Sequence, residues 1–590
     1  MSPLEQYSDR LAQRAGSFAR LDKLDARVGH ARLALAAAFL TLAWGWFERG
    51  VSPAWLAAAA ALFAAAVIYH HRIRGLQSLA RRAVEFYQAG LDRMRGRCVE
   101  GGARGDEFSD AHHVYGADLD LFGRQSLFER LCTARTPMGA GTLAQWLLAP
   151  APIETIRERQ ASIGELRGRI GLREDLAVLG EPRRLALSAD ALAAWAAAPG
   201  ELLHGWLRVA ATLAVAAAAV TAGIWALGGF AFPFLAVLVL EACLTYAYRG
   251  RVHAALSGLE NAYEQLALFA ALLRRIEAEP FDAPPLKALR AALSSHAQTA
   301  STTLSKLATL VNFVEARRNP FLTPLMLPLM YTLHTALAAE RWRRRHGQVV
   351  QSWLNVLGEI EALQSIAAYS FERPEDPFPE FLEGGSAAFV AAALGHPLIP
   401  PQACVRNDVD LSGGTRALLV SGSNMSGKST LLRSVGVNAV LAMAGAPVCA
   451  ARLRLTPVQV GAGIRINDSL HEGSSRFYAE ITRLRQLFEP ARLPLLFLLD
   501  ELLQGTNSSD RRIGAQGVIR ALIERGAIGL VSTHDVAIAD GIELAPGALG
   551  YVHFQDELRD GKLTFDFKLR AGIATKGNGI ELMRAIGLDV

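Results

Sequence analysis

The octapeptide Gly422-Ser423-Asn424-Met425-Ser426-Gly427-Lys428-Ser429 constrains this chain more than any other feature. Its pattern, G-x-x-x-x-G-K-[ST], belongs to a loop whose backbone amides curve around a phosphate, and it works between a strand and a helix. Both flanks fit. Ala417–Val420 is a short apolar run that predicts a strand, and Thr430–Ala442 predicts a helix. From the breaker-rich stretch Arg373–Pro379 onward, short β-rich runs alternate with helices, so residues 380–590 predict an α/β domain. In such a loop Lys428 would hold the β- and γ-phosphates of ATP, and Ser429 would ligate Mg2+.

A second half-site should lie at the end of a buried strand. Leu495–Leu499 followed by Asp500-Glu501 fits it. Asp500 would bind the magnesium, and Glu501 would polarise the attacking water as general base. Ile528–Thr533 reads as a neighbouring strand that ends at His534, placed to sense the γ-phosphate. Leu411-Ser412-Gly413-Gly414 looks like an ABC-transporter signature, but it precedes the P-loop and reads as a turn into the strand.

Upstream the pattern is different. Leu33–Phe47 and Val51–Tyr69 form one apolar pair, and Val209–Leu227 and Phe230–Tyr248 another. A bilayer span takes about 20 apolar residues. Runs such as Ala57–Ala66 lack a polar face, and Trp44, Trp55, Trp206 and Tyr248 lie near segment ends, as in aromatic belts. Each pair therefore predicts a transmembrane hairpin. Arg27, Arg32, Arg72 and Arg74 flank the first, and Arg208, Arg249 and Arg251 the second. Positive flanks predict a multi-pass inner-membrane protein with its large segments in the cytoplasm. Glu241 lies within the fourth segment and reads as a packed or protonated side chain. The expected order is a cytoplasmic segment (1–30), hairpin one (31–70), a helical segment (71–205), hairpin two (206–250), an all-α lever or core domain (251–372) and the ATPase domain (380–590).

Charge and cysteines narrow the partners. A net charge of +5 suits a nucleic acid or an anionic membrane surface. The clusters Arg72–Arg82 and Arg341-Trp342-Arg343-Arg344-Arg345 are candidates to meet phosphates of either kind. The five cysteines are scattered singly and predict free thiols rather than a disulfide framework or a zinc site.

Taken together, the C-terminal motifs resemble the MutS mismatch-repair family. Asn424-Met425 with Gly427-Lys428-Ser429-Thr430 resembles its N-M-x-G-K-S-T, and Gly473–Glu480 is similar to G-x-S-T-F-M-x-E. Asp500-Glu501 with Gly505–Asp510 resembles D-E-x-x-x-G-T-S-x-x-D, and Thr533-His534 its T-H. Gly395-His396-Pro397 with Asn407-Asp408 is similar to the lead-in of the same domain. Weaker echoes of the core helical domain run through Ser126-Leu127-Phe128, Thr133, Thr136, Gly139 and Leu143–Pro150.

The resemblance implies an ABC-type ATPase working as a head-to-tail homodimer, with Ser475 reaching the partner's γ-phosphate, and it implies DNA as a partner. The family's mismatch-reading N-terminal domain has no evident room here, and two hairpins stand in its place. The expectation is a membrane-anchored MutS-like ATPase coupled to DNA binding or DNA-structure sensing. The alternative is an ABC-type ATPase acting mechanically on membrane partners or in transport, without DNA.

Overall fold

The computed structural model describes residues 1–97, 101–180, 189–199, 205–259, 262–294, 298–316, 326–423, 425–465, 476–489, 492–504, 506–534, 538, 544–559 and 562–573. A helical N-terminal region precedes an α/β domain with mixed sheets. By internal contacts the chain forms two compact units. One comprises residues 1–133, 140–170 and 362–590, and the other residues 134–139 and 171–361.

The first unit begins with two long helices, Pro3–Arg49 and Pro53–Met94. The first starts in a capping box, in which Ser2 Oγ accepts from the Glu5 amide and Glu5 reaches back to the Ser2 amide. It ends at Gly50, whose φ of +66° is a conformation open to glycine. The helix thus runs unbroken from the polar segment 1–30 into the apolar one. Where the apolar stretches end, His70 is buried between Asp25, 2.7 Å from Nε2, and Arg32, 2.7 Å from Nδ1. At the far end of the pair Tyr7 is fully buried against Phe86, Tyr87 and Phe371. Its ring lies where a Cβ on residue 90 would stand, so Gly90 admits it by having none.

The α/β part of this unit contains two sheets. Strands β1 (Glu380–Phe381), β2 (Phe389–Leu394), β3 (Asn407–Leu411), β4 (Ala417–Ser421) and β5 (Arg452–Leu455) come first. Then follow β6 (Gln459–Gly463), β7 (Leu495–Asp500), β8 (Ile528–Ser532), β9 (Leu549–Arg559) and β10 (Lys562–Ala571). The smaller sheet has the order β1-β5-β2-β3, and the larger β10-β9-β4-β8-β7-β6. From β9 to β6 the larger sheet is parallel, and β10 pairs antiparallel at its edge. Every residue of β4 and β8 is buried, as continuous apolar strands covered on both faces should be. Leu419, Phe497, Leu499 and Val531 pack with Ala515, Ile519 and Leu522 of the helix Ser508–Glu524. Burying each of the larger side chains contributes about 1.5–3 kcal/mol. The Leu411–Gly414 segment is the expected turn, with Gly413 at φ +59° and Gly414 at +120° between β3 and β4.

The second unit holds the helices Gly205–Ala226 and Phe232–Leu256, joined by a turn with Gly228 at φ +89°. Among the described residues four helices are long and apolar enough to cross a membrane, the two just named and the two that open the first unit. Their apolar side chains, among them Leu33, Trp44, Leu62, Leu213, Val220 and Leu240, are exposed. Glu241 is buried within its helix pair.

The arginine cluster of this unit differs from its sequence reading. Trp342 is buried and donates to Thr303 O at 3.0 Å, while Arg343 is buried against Glu340 at 2.5 Å and also donates to Pro199 O at 3.1 Å. Tertiary packing therefore uses two of the five residues internally, and Arg344 and Arg345 remain on the surface.

Glu361 is also buried here. It accepts from the Arg135 amide at 2.9 Å and from the Thr136 hydroxyl, and Gly139 lies so close that a Cβ there would meet its side chain. Burial pushes its carboxyl up to about 7, against these hydrogen bonds, which favour the ionised form. The folded state therefore holds this proton more tightly than the unfolded chain. The associated stability is present below the ordinary carboxylate range and is lost as pH rises through about 7. Glu361→Gln should remove a pH-dependent loss of about 3 kcal/mol. The check is thermal unfolding across that window: the variant should show the flatter profile, and parallel profiles would refute the assignment.

Candidate functional site

The site forms at the carboxyl ends of the parallel strands, where an open α/β sheet leaves a crevice. β4 ends at Ser421, the loop follows, and Lys428 opens the helix Lys428–Ala444. Gly427 turns the chain into that helix at φ +105°, a backbone state that L side chains rarely adopt. Lys428 is buried, and its Nζ donates to Gly422 O at 2.8 Å and Ser423 O at 3.0 Å. Burial lowers its pKa, opposed by Glu501 and then Asp500. An anion in the loop would act in the same direction as those two carboxylates.

The adjacent strands deliver the acids. Asp500 is the last residue of β7 and accepts from the Ser532 hydroxyl at the end of β8. The Glu501 amide is 3.2 Å from both the Ser532 carbonyl and its Oγ. Glu501 itself has φ +49°, a strained conformation for a residue with a side chain, costing of order 1–3 kcal/mol. From that turn its carboxylate meets His534 Nε2 and stands 3.9 Å from Lys428 Nζ. His534 Nε2 is in turn 3.4 Å from Lys428 Nζ. Three residues far apart in sequence thus converge on one point.

Several sequence-derived residues can be placed individually. Ser429 is the second residue of the loop helix and half-buried, Thr430 and Met425 are exposed, and Met425 has φ +76°. Asn424 and Ser475, with the rest of Gly473–Ser475, lie outside the described residues. Asn407 bridges β3 to β10, donating to Phe567 O at 3.0 Å and accepting from the Leu569 amide at 2.8 Å.

Two supporting residues, Ser532 and Asn438, went unread in the sequence, and a third, Glu480, was read only as the end of the Gly473–Glu480 motif. Ser532 ties Asp500 to the Glu501 amide; a hydroxyl residue just before Thr533-His534 was the available signal. Glu480 is buried and accepts from the Leu503 amide, which fixes the turn after Glu501. Asn438, on the loop helix, is fully buried and joins Gly395 O at 2.9 Å to the Cys449 amide at 2.6 Å. The four described cysteines, Cys132, Cys243, Cys404 and Cys449, form no disulfide, and Cys98 lies outside the described residues.

The donor set fits a nucleotide phosphate. Ser423 Oγ and Ser426 Oγ are buried with no hydrogen-bond partner, so the loop carries two hydroxyls that phosphate oxygens would satisfy. Among the described residues no group of three or more His, Cys, Asp or Glu side chains could hold a metal alone. Ser429 and Asp500 match a Mg2+ ion that takes only one or two protein ligands beside phosphates and water.

The segment that carries this site is similar to known proteins. Residues 418–589 match the family model of MutS domain V. The chain is 33% identical over 264 residues to the DNA mismatch repair protein MutS of Brevibacillus brevis, covering 44% of this chain and 30% of that protein. It is 30% identical over 251 residues to DNA mismatch repair protein MutS 2 of Halobacterium salinarum, covering 42% and 29% respectively. Over 140 residues it is 41% identical to Endonuclease MutS2 of Thermus thermophilus, covering 24% and 18%. The chain therefore spans less than a third of the length of these relatives.

Proposed function

We propose, from the premise that the C-terminal domain belongs to the MutS family, that the chain is a membrane-anchored ATPase whose nucleotide cycle is coupled to DNA. The observation that carries the reading is the meeting of Lys428, Glu501 and His534 at the strand ends, inside the segment that matches MutS domain V.

In this reading Gly422–Thr430 and Lys428 bind the triphosphate of ATP, and Ser429 and Asp500 hold Mg2+. The metal supplies positive charge to the β- and γ-phosphates. Glu501 orients a water and takes its proton at the carboxylate. His534 holds that carboxylate in place and contacts the γ-phosphate side of the site, and Ser532 keeps the two acids in register. Two copies pair head to tail, with Ser475 of each completing the other's site, so that binding and hydrolysis make and break the dimer. The four apolar helices anchor the protein in the inner membrane, with the α/β domain in the cytoplasm.

DNA remains the preferred partner because relatives named as mismatch repair proteins share the domain. The exposed Arg344 and Arg345, with Arg72 and Arg74, are the candidate phosphate contacts. The test is the ATPase rate of the full chain, extracted from membranes in detergent and titrated with homoduplex, mismatched and branched DNA at low and high salt. Stimulation that depends on DNA structure and fades with salt is expected, because phosphate contacts release counterions. A robust rate indifferent to every DNA would favour the mechanical, membrane-directed alternative. Recovery of the intact chain without detergent would remove the anchoring.

A further inference from the structure

Away from the strand ends, a cavity of about 280 Å³ opens in the first unit between the end of the helix Pro53–Met94 and the short helix Leu127–Leu131. Arg93, Arg97, Gln125, Ser126, Glu129 and Arg130 contribute its polar lining. The charges there are unevenly matched. Arg93 is buried and paired with Glu372, whose carboxylate lies 2.5 Å from Nη2. Arg97 has only a loose contact with Asp92, at 3.6 Å, and Glu129 is engaged by the Gln125 amide at 2.6 Å.

Arg130 has no side-chain hydrogen bond or ion pair among the described residues, and its Nε is buried without an acceptor. A guanidinium offers five donors, and one of them buried without an acceptor is rare in native folds. Burial, and then repulsion from Arg373, push it down to about 10. Glu372 opposes that shift only in part.

We propose that this cavity is a binding site for a small, water-soluble phosphate ester, held by Arg130 and Arg97 with Gln125 and Ser126. A phosphate dianion matches two arginines in charge and has oxygens enough for both forks, whereas a carboxylate would leave one unanswered. The cavity is below the usual range for drug-sized ligands, which limits the organic part to a short body.

A soluble ester is favoured over a lipid headgroup by distance along one helix. Arg93 follows Tyr69, the end of the apolar stretch, by 24 residues, which in a helix is about 36 Å. A headgroup at the end of that stretch would not reach the cavity.

The experiment titrates the full chain in detergent, preloaded with ADP and Mg2+ so that the P-loop does not compete, with glycerol 3-phosphate by calorimetry. Wild type should bind it saturably, one equivalent per chain, at millimolar concentration or below. Arg130→Gln should weaken binding by roughly tenfold or more, the loss of a charge-assisted hydrogen bond. Gln125→Glu changes an exposed lining residue and serves if Arg130→Gln does not fold; it should weaken binding through like-charge repulsion, with the thermal midpoint unchanged. Equal affinity in wild type and the folded variants would overturn the site, as would the absence of saturable binding. Arg130-dependent capture of phosphatidic acid vesicles, with no response to the soluble ester, would overturn the soluble source. Failure to bind ADP would count against the nucleotide reading alone, because the calorimetry can be repeated with Lys428→Ala.

Discussion

Glu501→Gln should slow ATP hydrolysis by about 10²- to 10⁴-fold, the usual contribution of a positioned general base, while leaving ATP bound. The expectation comes from geometry. The Glu501 carboxylate is held by His534, stands 3.9 Å from Lys428 Nζ and projects from a turn at φ +49° that Ser532 and Glu480 secure. Glutamine keeps the size and a hydrogen-bonding oxygen but takes no proton. ATP should therefore accumulate in the site, and the protein should shift toward the dimer in sedimentation with ATP. Single-turnover phosphate release gives the rate. Turnover of the variant at the wild-type rate would remove Glu501 from its assigned role.

Lys428→Ala should weaken ATP binding by roughly 100-fold, as expected when a charge-assisted hydrogen bond worth about 1.5–3 kcal/mol is lost from a site built around an anion. Lys428 is buried with its ammonium on two loop carbonyls, and burial disfavours its charged form. A phosphate group would reverse that penalty, so the lysine gains most when the site is filled. Equilibrium binding of a fluorescent ATP analogue measures the loss, and an unchanged affinity would sink the P-loop assignment. The two variants separate cleanly, one retaining nucleotide without turnover and the other failing to take it up.

The local elements of the α/β domain were largely legible in the sequence. Strand and helix on either side of Gly422–Ser429 follow from apolar runs and glycine placement, and the structure has β4 and the helix Lys428–Ala444 there. The acid pair was legible for the same reason: an apolar run that stops at two carboxylates is a buried strand meeting solvent. Four apolar helices were legible from length and composition, properties that need no partner.

Other features depend on residues distant in sequence. The polar start of the chain, with mixed charges and no strong periodicity, gave little sign that it continues the first apolar helix and buries Tyr7 against Phe371. Arg341–Arg345 looked like a uniform basic cluster until packing consumed Trp342 and Arg343. Cys404 and Cys449, isolated in sequence, come side by side around Gly395, though they remain free thiols.

The sequence by itself determined the phosphate-loop pattern, the two acids and the apolar segments, because each rests on neighbouring residues and the chemistry of their side chains. Only the tertiary structure decided that Glu501 and His534 meet beside Lys428, that Ser532 braces both acids, and that Arg130 Nε is buried without a hydrogen-bond partner. Those relations are set by strand order and packing, which bring together groups that no local pattern links.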